Sequence, residues 1–255
     1  MITFTVVIPT YNSSSTISKC VMSVLEQTKL PHEIIIVDDC STDDTIKVIL
    51  DLIKQHKNGY LIRLIQKDTN SGPGLSRNIG IELSRGQFIS FLDSDDHFVR
   101  DKIRFLHNFI TLNGGCVELI SDSVNVPKKH FLKRIKYIRS VLKNQVTTTS
   151  SVTIKKQATR CFPDRKYAED SLLWFDIMLK SNNCYELGLN LTCSDQKRDF
   201  STGLSSNLYK MFLGVVSNYY VLYKKGMIGF FCLFLSCIMA LLKLIIRFFK
   251  FRLLK

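Results

Sequence analysis

The 255-residue chain carries three carboxylates within four residues, in the stretch FLDSDD at 91–96. Asp93, Asp95 and Asp96 end the apolar run QFISFL (87–92), which has the composition of a buried strand. Like charges this close repel one another, and a packed core does not stabilise them. Mg²⁺ or Mn²⁺, held by one or two carboxylates together with substrate phosphate oxygens, would offset the repulsion. The other interpretation is that Asp95 or Asp96 caps a helix predicted over about 99–113.

Short apolar strands alternate with amphipathic helices through the first half of the chain. The pattern predicts strands over 3–9, 33–37, 61–65 and 87–92, and helices over 15–28, 43–56 and 74–84. Strands that are apolar throughout are typical of a mostly parallel sheet covered by helices on both faces. The polar clusters PTYN (9–12), DDCSTDD (38–44) and DSDDH (93–97) each follow a predicted strand. Because ligands bind such sheets at the carboxyl ends of the strands, we expect a ligand site there.

The first of these turns argues against a dinucleotide fold. PTYNSSS (9–15) contains no glycine, whereas a dinucleotide-binding turn needs a glycine-rich approach to the pyrophosphate. The stretch NSGPGLSRN (70–78) has glycines but lacks the Gly-Lys-Ser/Thr of a phosphate-binding loop. If phosphates bind this sheet, a metal held by carboxylates is therefore favoured over a backbone cradle.

Charge is distributed unevenly along the chain. Residues 1–127 carry 12 Lys+Arg against 15 Asp+Glu, a net −3, and residues 128–255 carry 23 against 7, a net +16. The basic half predicts contact with an anionic surface, either nucleic acid or lipid. Eight cysteines without a C-x-x-C pair are typical of buried thiols in a reduced compartment. MITFTVVIPTYN has no basic leader, so we expect the front of the protein in the cytosol.

Five motifs together resemble glycosyltransferase family 2, whose members have the GT-A fold and use nucleotide-diphosphate sugars. In chain order they are VVIPTYN (6–12), VDDCSTDDT (37–45), NSGPGLSRNIGIE (70–82), FLDSDD (91–96) and YAEDSLLW (167–174). The resemblance covers about residues 3–175. It implies a Rossmann-like, mostly parallel sheet with helices on both faces.

The resemblance also implies how the donor is held. Asp95 would ligate a divalent metal, Mn²⁺ or Mg²⁺, that bridges the donor diphosphate, and Asp93 would contact the ribose and share the metal. Arg77 matches an arginine that approaches the nucleotide end of the donor. A surface arginine on an amphipathic helix is the alternative for Arg77.

For the base, the resemblance implies that Pro9 and Thr10 shape a uracil-contacting turn and that Tyr11 stacks on the ring. Asp39 matches the acceptor of the uracil imide N–H, and Asp38 is expected to support the loop. A strand-ending turn with a packed tyrosine is the alternative.

YAEDSLLWFDIML (167–179) places two acids at the start of a predicted helix. Acids there commonly only complement the helix dipole. Within the resemblance, however, Asp170 matches the general base of an inverting transfer, and Glu169 would orient the acceptor or support the loop. Trp174, the only tryptophan, is either a sugar platform or a core residue.

Three units are expected: 1–125 as the nucleotide-sugar-binding half, 126–206 as the acceptor-binding half, and 207–255 as membrane-associated helices. A basic amphipathic helix is predicted over 128–143 in the second unit. Seventeen uncharged residues lie between Lys225 and Lys243. They span about 26 Å as a helix, short of a bilayer core of about 30 Å. With basic flanks on both sides, this favours a re-entrant or interfacial anchor over a full span.

The resemblance predicts transfer of a hexose (galactose, glucose or GlcNAc type) from a UDP-sugar to a polyprenyl-diphosphate-linked saccharide. The place would be the cytoplasmic face of the inner membrane, in O-antigen, capsule or exopolysaccharide assembly. The chain lacks the Gln-x-x-Arg-Trp motif of processive synthases, which favours one sugar per event. The alternatives are a polyprenyl-phosphate acceptor, a catalytically inactive nucleotide-sugar sensor, and a basic non-enzymatic protein that binds nucleic acid or membranes.

Overall fold

The structure is a computed structural model that describes residues 2–124, 132–134, 141, 148–158, 161–165, 167–194 and 207–253. The strands are β1 (Phe4–Thr10), β2 (Glu33–Asp38), β3 (Ile62–Gln66), β4 (Phe88–Phe91), β5 (Asp96–Phe98), β6 (Leu119–Val124), β7 (Leu132–Arg134), β8 (Val152–Lys155) and β9 (Cys184–Ser194). The α-helices are α1 (Ile17–Leu25), α2 (Thr45–Gln55), α3 (Pro73–Leu83), α4 (Lys102–Leu112), α5 (Glu169–Lys180), α6 (Leu208–Lys224) and α7 (Phe230–Leu253).

The described strands form one sheet in the order β3-β2-β1-β4-β8-β6-β9-β5, with β7 added beside β9. β1 pairs in parallel with β2 and β4, and β2 pairs in parallel with β3. Beyond β4 the sheet is mixed, because β8 runs antiparallel to both β4 and β6. The predicted α/β class is confirmed, with the parallel pairing concentrated in the first half of the chain.

The strand order reverses at β1. The chain adds β2 and β3 on one side of β1 and then returns to place β4 on the other. The loops that leave β1 and β4 therefore diverge at a topological switch point, where open α/β sheets bind ligands. The side chains of Ser13 and Ser94 join these two loops through a 2.8 Å hydrogen bond.

Helices cover both faces of the sheet, as the apolar strands predicted. On one face, Val6 and Ile8 of β1 belong to a core cluster with residues of α1 and α4. On the other face, Val7 packs with residues of β4 and α5. Gly80 lets α3 approach the sheet, since a Cβ at that position would lie 2.3 Å from Cγ1 of Val7.

The basic helix predicted over 128–143 is wrong at Leu132–Arg134. These residues form β7, which pairs antiparallel with Tyr185–Leu187 of β9. Val141 is helical, and the rest of the segment lies outside the described residues. The physical reason is that β9 offers backbone N–H and C=O groups here. Hydrogen bonds to these groups stabilise a strand more than the helical spacing of apolar residues stabilises a helix.

The prediction that the thiols are buried is right for some cysteines and wrong for others. All eight are free; Cys20 and Cys184 are buried, while Cys116 and Cys161 are exposed.

α6 and α7 form a C-terminal helical pair. Within the described residues, Phe230–Phe248 is one helix segment long and apolar enough to cross a membrane, with a mean hydropathy of 2.2 and 11% of the window buried. Ala240 of α7 packs with Val215 and Tyr219 of α6 and with Phe175 of α5 in a third core cluster. The C-terminal pair is therefore attached to the sheet domain through α5.

Candidate active site

The three carboxylates of the acidic loop lie between β4 and β5. The amide of Asp96 donates to the carbonyl of Asp93 at 3.0 Å, and Asp96 then enters β5, which pairs with β9. The helix-capping interpretation is wrong, because α4 begins at Lys102 behind Asp101. Burial raises the pKa of Asp95 to about 6, and the negative charges of Asp93 and Asp96 add to the shift. Among the residues that the structure describes, no lysine or arginine pairs with Asp95, so its negative charge is not offset there.

Arg77 links this loop to the second acidic motif. Its Nη2 donates to Oδ1 of Asp93 at 2.7 Å and its Nη1 to Oε1 of Glu169 at 3.0 Å. The side chain is buried, and its Cζ lies 5.4 Å from the ring centroid of Phe162. Its Nε has no hydrogen-bond partner among the described residues. The surface-arginine interpretation is therefore wrong. Arg77 brings the carboxylates of Asp93 and Glu169 to one guanidinium.

A short 3₁₀ turn (Thr149–Ser151) makes a second link between the same two motifs. The amide of Asp93 donates to Oγ of Ser150 at 3.0 Å, and Oγ1 of Thr149 donates to Oδ2 of Asp170 at 3.0 Å. Two adjacent hydroxyl residues thus hold the acidic loop beside the start of α5. Sequence reasoning missed both, because TTTSS (147–151) matches no motif and lies outside the periodic segments.

Glu169 and Asp170 are the first two residues of α5 and differ in their surroundings. Glu169 is buried, and this burial, with the charge of Asp170, raises its pKa to about 6 against the attraction of Arg77. Asp170 is only partly buried, and its Oδ1 accepts the amide of Ser171 at 2.7 Å. Of the two acids, Asp170 is the one open to a ligand.

Asp39, at the end of β2, is surrounded by donors from its own chain. Its carboxylate accepts the amides of Ser71 at 2.9 Å and Gly72 at 2.7 Å and forms an ion pair with Lys67. Burial alone would raise the pKa of Asp39, but these donors outweigh it and hold the pKa below its usual value. Asp39 therefore anchors the loop before α3, a contact that the motif alone did not reveal.

The other residues predicted for the base side lie at the ends of β1 and β2. Asp38 accepts the amide of Ser41 at 2.9 Å and its hydroxyl, and so supports the loop as expected. Tyr11 is 48% exposed beyond β1, so the packed-tyrosine interpretation is wrong and the ring is free to stack. Pro9 and Thr10 are the last two residues of β1, and the buried Oγ1 of Thr10 has no hydrogen-bond partner in the described part of the chain.

Trp174 is fully buried. Its ring centroid lies 5.6 Å from that of Phe91 and 5.5 Å from that of Phe162. The sugar-platform hypothesis is therefore wrong, and the core interpretation is confirmed.

A buried ion pair, Lys102 with Asp122, holds the 3₁₀ turn that contacts the acidic loop. Lys102 is fully buried and donates to Oδ1 of Asp122 at 2.7 Å, to Oγ1 of Thr192 at 2.6 Å and to the carbonyl of Ser150 at 3.2 Å. Sequence reasoning missed this pair as well. The helical spacing could have indicated that Lys102 is buried. Lys102 lies on the apolar face of α4, one turn before Leu106 and two turns before Phe109.

The donor set suits a hard divalent cation with an open coordination sphere. Among the described residues, no group of three or more His, Cys, Asp and Glu side chains closes on one point. Asp95 and Asp93 supply carboxylate oxygens, which Mg²⁺ and Mn²⁺ prefer, and such ions commonly take their other ligands from water and substrate phosphates. The uncompensated charge at Asp95 fits the same interpretation.

The mixed sheet with an acidic loop at its switch point is that of the GT-A class. The chain matches the model of glycosyl transferase family 2 over residues 5–161 and belongs to that family. This confirms the resemblance carried by the five motifs.

Several curated relatives are similar in sequence. The poly(ribitol-phosphate) β-N-acetylglucosaminyltransferase TarS of Staphylococcus aureus is 32% identical over 71% of this chain and 33% of its own length. The UDP-Glc:α-D-GlcNAc-diphosphoundecaprenol β-1,3-glucosyltransferase WfgD of Escherichia coli is 30% identical over 80% of each chain. The putative teichuronic acid biosynthesis glycosyltransferase TuaG of Bacillus subtilis is 29% identical over 80% of this chain and 82% of its own. The chain spans about a third of TarS.

Solved structures share the fold. TarS 1–349 of S. aureus with UDP-GlcNAc superposes with a TM-score of 0.70 at 22% identity, covering 86% of this chain and 66% of the other. The mannosyltransferase PcManGT of Pyrobaculum calidifontis, with GDP-Man and Mn²⁺, superposes with a TM-score of 0.67 at 17% identity, covering 92% and 69%.

Proposed function

We propose that the protein is an inverting glycosyltransferase that moves a hexose from a UDP-sugar to a lipid-linked saccharide. The observation that supports this most is the double link between Asp93 and the acid pair, through Arg77 and through Thr149–Ser150. It brings the carboxylates of Asp93 and Asp170 to one edge of the sheet, which supports a metal-binding role for Asp93 with Asp95 and a general-base role for Asp170. A direct displacement needs these two groups on either side of the anomeric carbon.

On the donor side, Asp95 together with Asp93 would hold a divalent cation. When bound, such an ion supplies positive charge that offsets the charge of the leaving diphosphate. Tyr11 would stack on the uracil, and Asp39 would accept its imide N–H. Asp39 has room for that bond, because its Oδ2 accepts only the Gly72 amide among the contacts of the described residues, and a carboxylate oxygen accepts two.

On the acceptor side, Asp170 would take the proton of the attacking hydroxyl. It is the more open of the two acids, and Oγ1 of Thr149 at 3.0 Å from its Oδ2 orients the carboxylate. Glu169 is held by Arg77 and positions that arginine against Asp93.

Two observations support a lipid-linked acceptor: the exposed apolar surface of α7 and the acceptor of a relative. Over residues 230–248 of α7, the part whose side chains the structure describes, ten large apolar side chains are exposed, among them Phe230, Phe231 and Phe234. A surface of this size in water is unfavourable, and lipid would cover it. WfgD acts, by its name, on a GlcNAc-diphosphoundecaprenol acceptor, and we propose a polyprenyl-diphosphate saccharide here as well. The proposed place is the cytoplasmic face of the inner membrane.

A panel of UDP-sugars assayed with a synthetic lipid-diphosphate-linked GlcNAc tests the proposal. We expect one UDP-hexose to be consumed with inversion at the anomeric carbon. Transfer to polyprenyl phosphate alone would instead support the other acceptor. Donor binding without transfer to any acceptor would contradict the proposal and favour a sensor.

Flotation with anionic liposomes tests the anchor. Replacing Phe230, Phe231 and Phe234 together by serine should release the protein, while Leu112→Ser, at a more exposed apolar position on α4, should not. A cysteine in place of Lys255, beyond the described residues, separates the two membrane arrangements. Labelling from the cytosolic side alone fits the predicted interfacial helix, and labelling from the opposite side would establish a span.

A further inference from the structure

α6 packs directly against the segment that leads into the acid pair. The side chain of Asn218 is buried, and its Nδ2 donates to the carbonyl of Ala168 at 2.7 Å. Its Oδ1 accepts Nη1 of Arg165 at 2.6 Å. A carbonyl only accepts and a guanidinium only donates, so both ends of the amide are assigned without ambiguity.

Ala168 has an unusual backbone. Its φ of 54° and ψ of 31° lie in the left-handed region, where an alanine costs about 1–2 kcal/mol. The next two residues are Glu169 and Asp170. Because the left-handed residue sets the direction in which α5 begins, a small rotation at Ala168 displaces both carboxylates from Arg77 and Thr149.

A second close contact lies one turn earlier on α6. A Cβ on Gly214 would lie 2.7 Å from the carbonyl oxygen of Tyr167. Only glycine therefore lets α6 lie this close to the backbone of Tyr167. Gly214 and Asn218 are four residues apart and therefore share one face of α6. That face meets the two residues that precede the acid pair.

We infer that Asn218, with Gly214, positions the acid pair by holding the left-handed turn at Ala168, which makes α6 part of the catalytic unit. The inference rests on the proposed function, since it concerns the reaction of Asp170. Asn218 acts through Ala168 and is a positioning residue. The helix that precedes the membrane-associated α7 thus controls the geometry of the base.

Two substitutions test this in the full-length protein. Asn218→Asp keeps the shape and the acceptor for Arg165 but places an oxygen against the Ala168 carbonyl. Gly214→Ala pushes the Tyr167 carbonyl, although alanine stabilises an isolated helix by about 1 kcal/mol. We expect each to lower kcat at least tenfold while the Kd for UDP and the donor KM change less than twofold.

The matched controls lie on the same helix. Ser217→Ala removes only an exposed 3.5 Å contact to Arg165, and Asn207→Ala removes the side-chain acceptor that caps the Lys210 amide. Both should keep kcat within twofold. If the controls lose as much kcat as the two test variants, α6 contributes stability alone and the inference is wrong.

Amide hydrogen exchange of the peptide around 165–173 gives a readout that does not depend on activity. Asn218→Asp should exchange faster there, while the fluorescence of the buried Trp174 stays unchanged. An exchange rate in Asn218→Asp equal to that of the wild type would overturn the inference. If the wild-type protein transfers no sugar, the proposed function fails, and exchange still decides whether Asn218 holds the turn.

Discussion

Two groups of acids follow parallel strands at the same edge of the sheet and have opposite surroundings. Asp39, after β2, receives two backbone amides and the Lys67 ammonium, and its pKa is lowered. Asp95, after β4, faces Asp93 and Asp96, and its pKa is raised to about 6 by burial and by those charges. The Asp39 charge is neutralised by Lys67, whereas no lysine or arginine in the described part of the chain pairs with Asp95.

This difference separates two roles that an aspartate can have, stabilising a loop and binding a metal. An acid that accepts several hydrogen bonds from its own chain stabilises a loop. Only its remaining acceptor capacity is open to a ligand. An acid that the fold gathers with others and leaves uncompensated is costly unless a cation arrives. We therefore propose that Asp39 holds the loop and contacts the base, and that Asp95 holds the metal.

The largest expected effect comes from Asp95→Asn. It should abolish transfer, by at least about 10³-fold if the metal is lost, without lowering the melting temperature of the metal-free protein, because it removes a repelled charge. Transfer assays and scanning fluorimetry measure the two effects. EDTA should inactivate the wild type, with recovery on Mn²⁺ or Mg²⁺. Full activity in EDTA would contradict the metal assignment.

Asp170→Asn should lower kcat by about 10²–10⁴, the usual contribution of a general base, with donor affinity changed only a few fold. Asp164→Asn, at an exposed acid in the preceding loop, is the matched control. A normal kcat in Asp170→Asn would return this residue to the role of complementing the helix dipole.

Asp39→Ala should weaken UDP about tenfold, a loss of one hydrogen bond to a charged group. Because we propose that Asp39 contacts the base and not the phosphates, calorimetry should give the same factor with and without Mn²⁺. Asp44→Ala, at an exposed acid of the same loop, should leave UDP binding unchanged. Unaltered UDP affinity in Asp39→Ala would remove the residue from the site.

Glu33→Gln should have the smallest effect, on stability alone. Glu33 begins β2, at the edge opposite the site, and accepts from Thr5 and Arg63 and from the Arg85 amide. Burial would raise its pKa, but these donors lower it below the usual value. The stabilisation is therefore complete above about pH 4.3, the ordinary glutamate pKa, and is lost as the pH falls through the lower, folded value.

We expect the variant to lose about 1–2 kcal/mol at pH 7, and the difference from wild type to shrink on acidification below pH ~4. Urea unfolding at several pH values measures this. A difference that does not depend on pH would show that the Glu33 charge is not used.

The first half of the chain is where sequence reasoning succeeded, for a physical reason. β1, β2 and β4 are buried on both faces, so most of their residues are apolar and the strands can be predicted from the sequence. Reasoning failed at Leu132–Arg134 and at β5, two strands of three residues each. Segments this short have too few residues for a period, and pairing with β9 decides their structure.

The sequence by itself determined the residue types of the site, the strand ends on which they lie and, through five motifs, the family. Only the tertiary structure decided what each acid meets: Lys67 at Asp39, Arg77 between Asp93 and Glu169, and Asn218 behind Ala168. These partners lie 16 to 92 residues apart along the chain. Local propensity acts over a few neighbouring residues, whereas the charge state of a buried acid depends on groups that only the folded backbone brings within 3 Å.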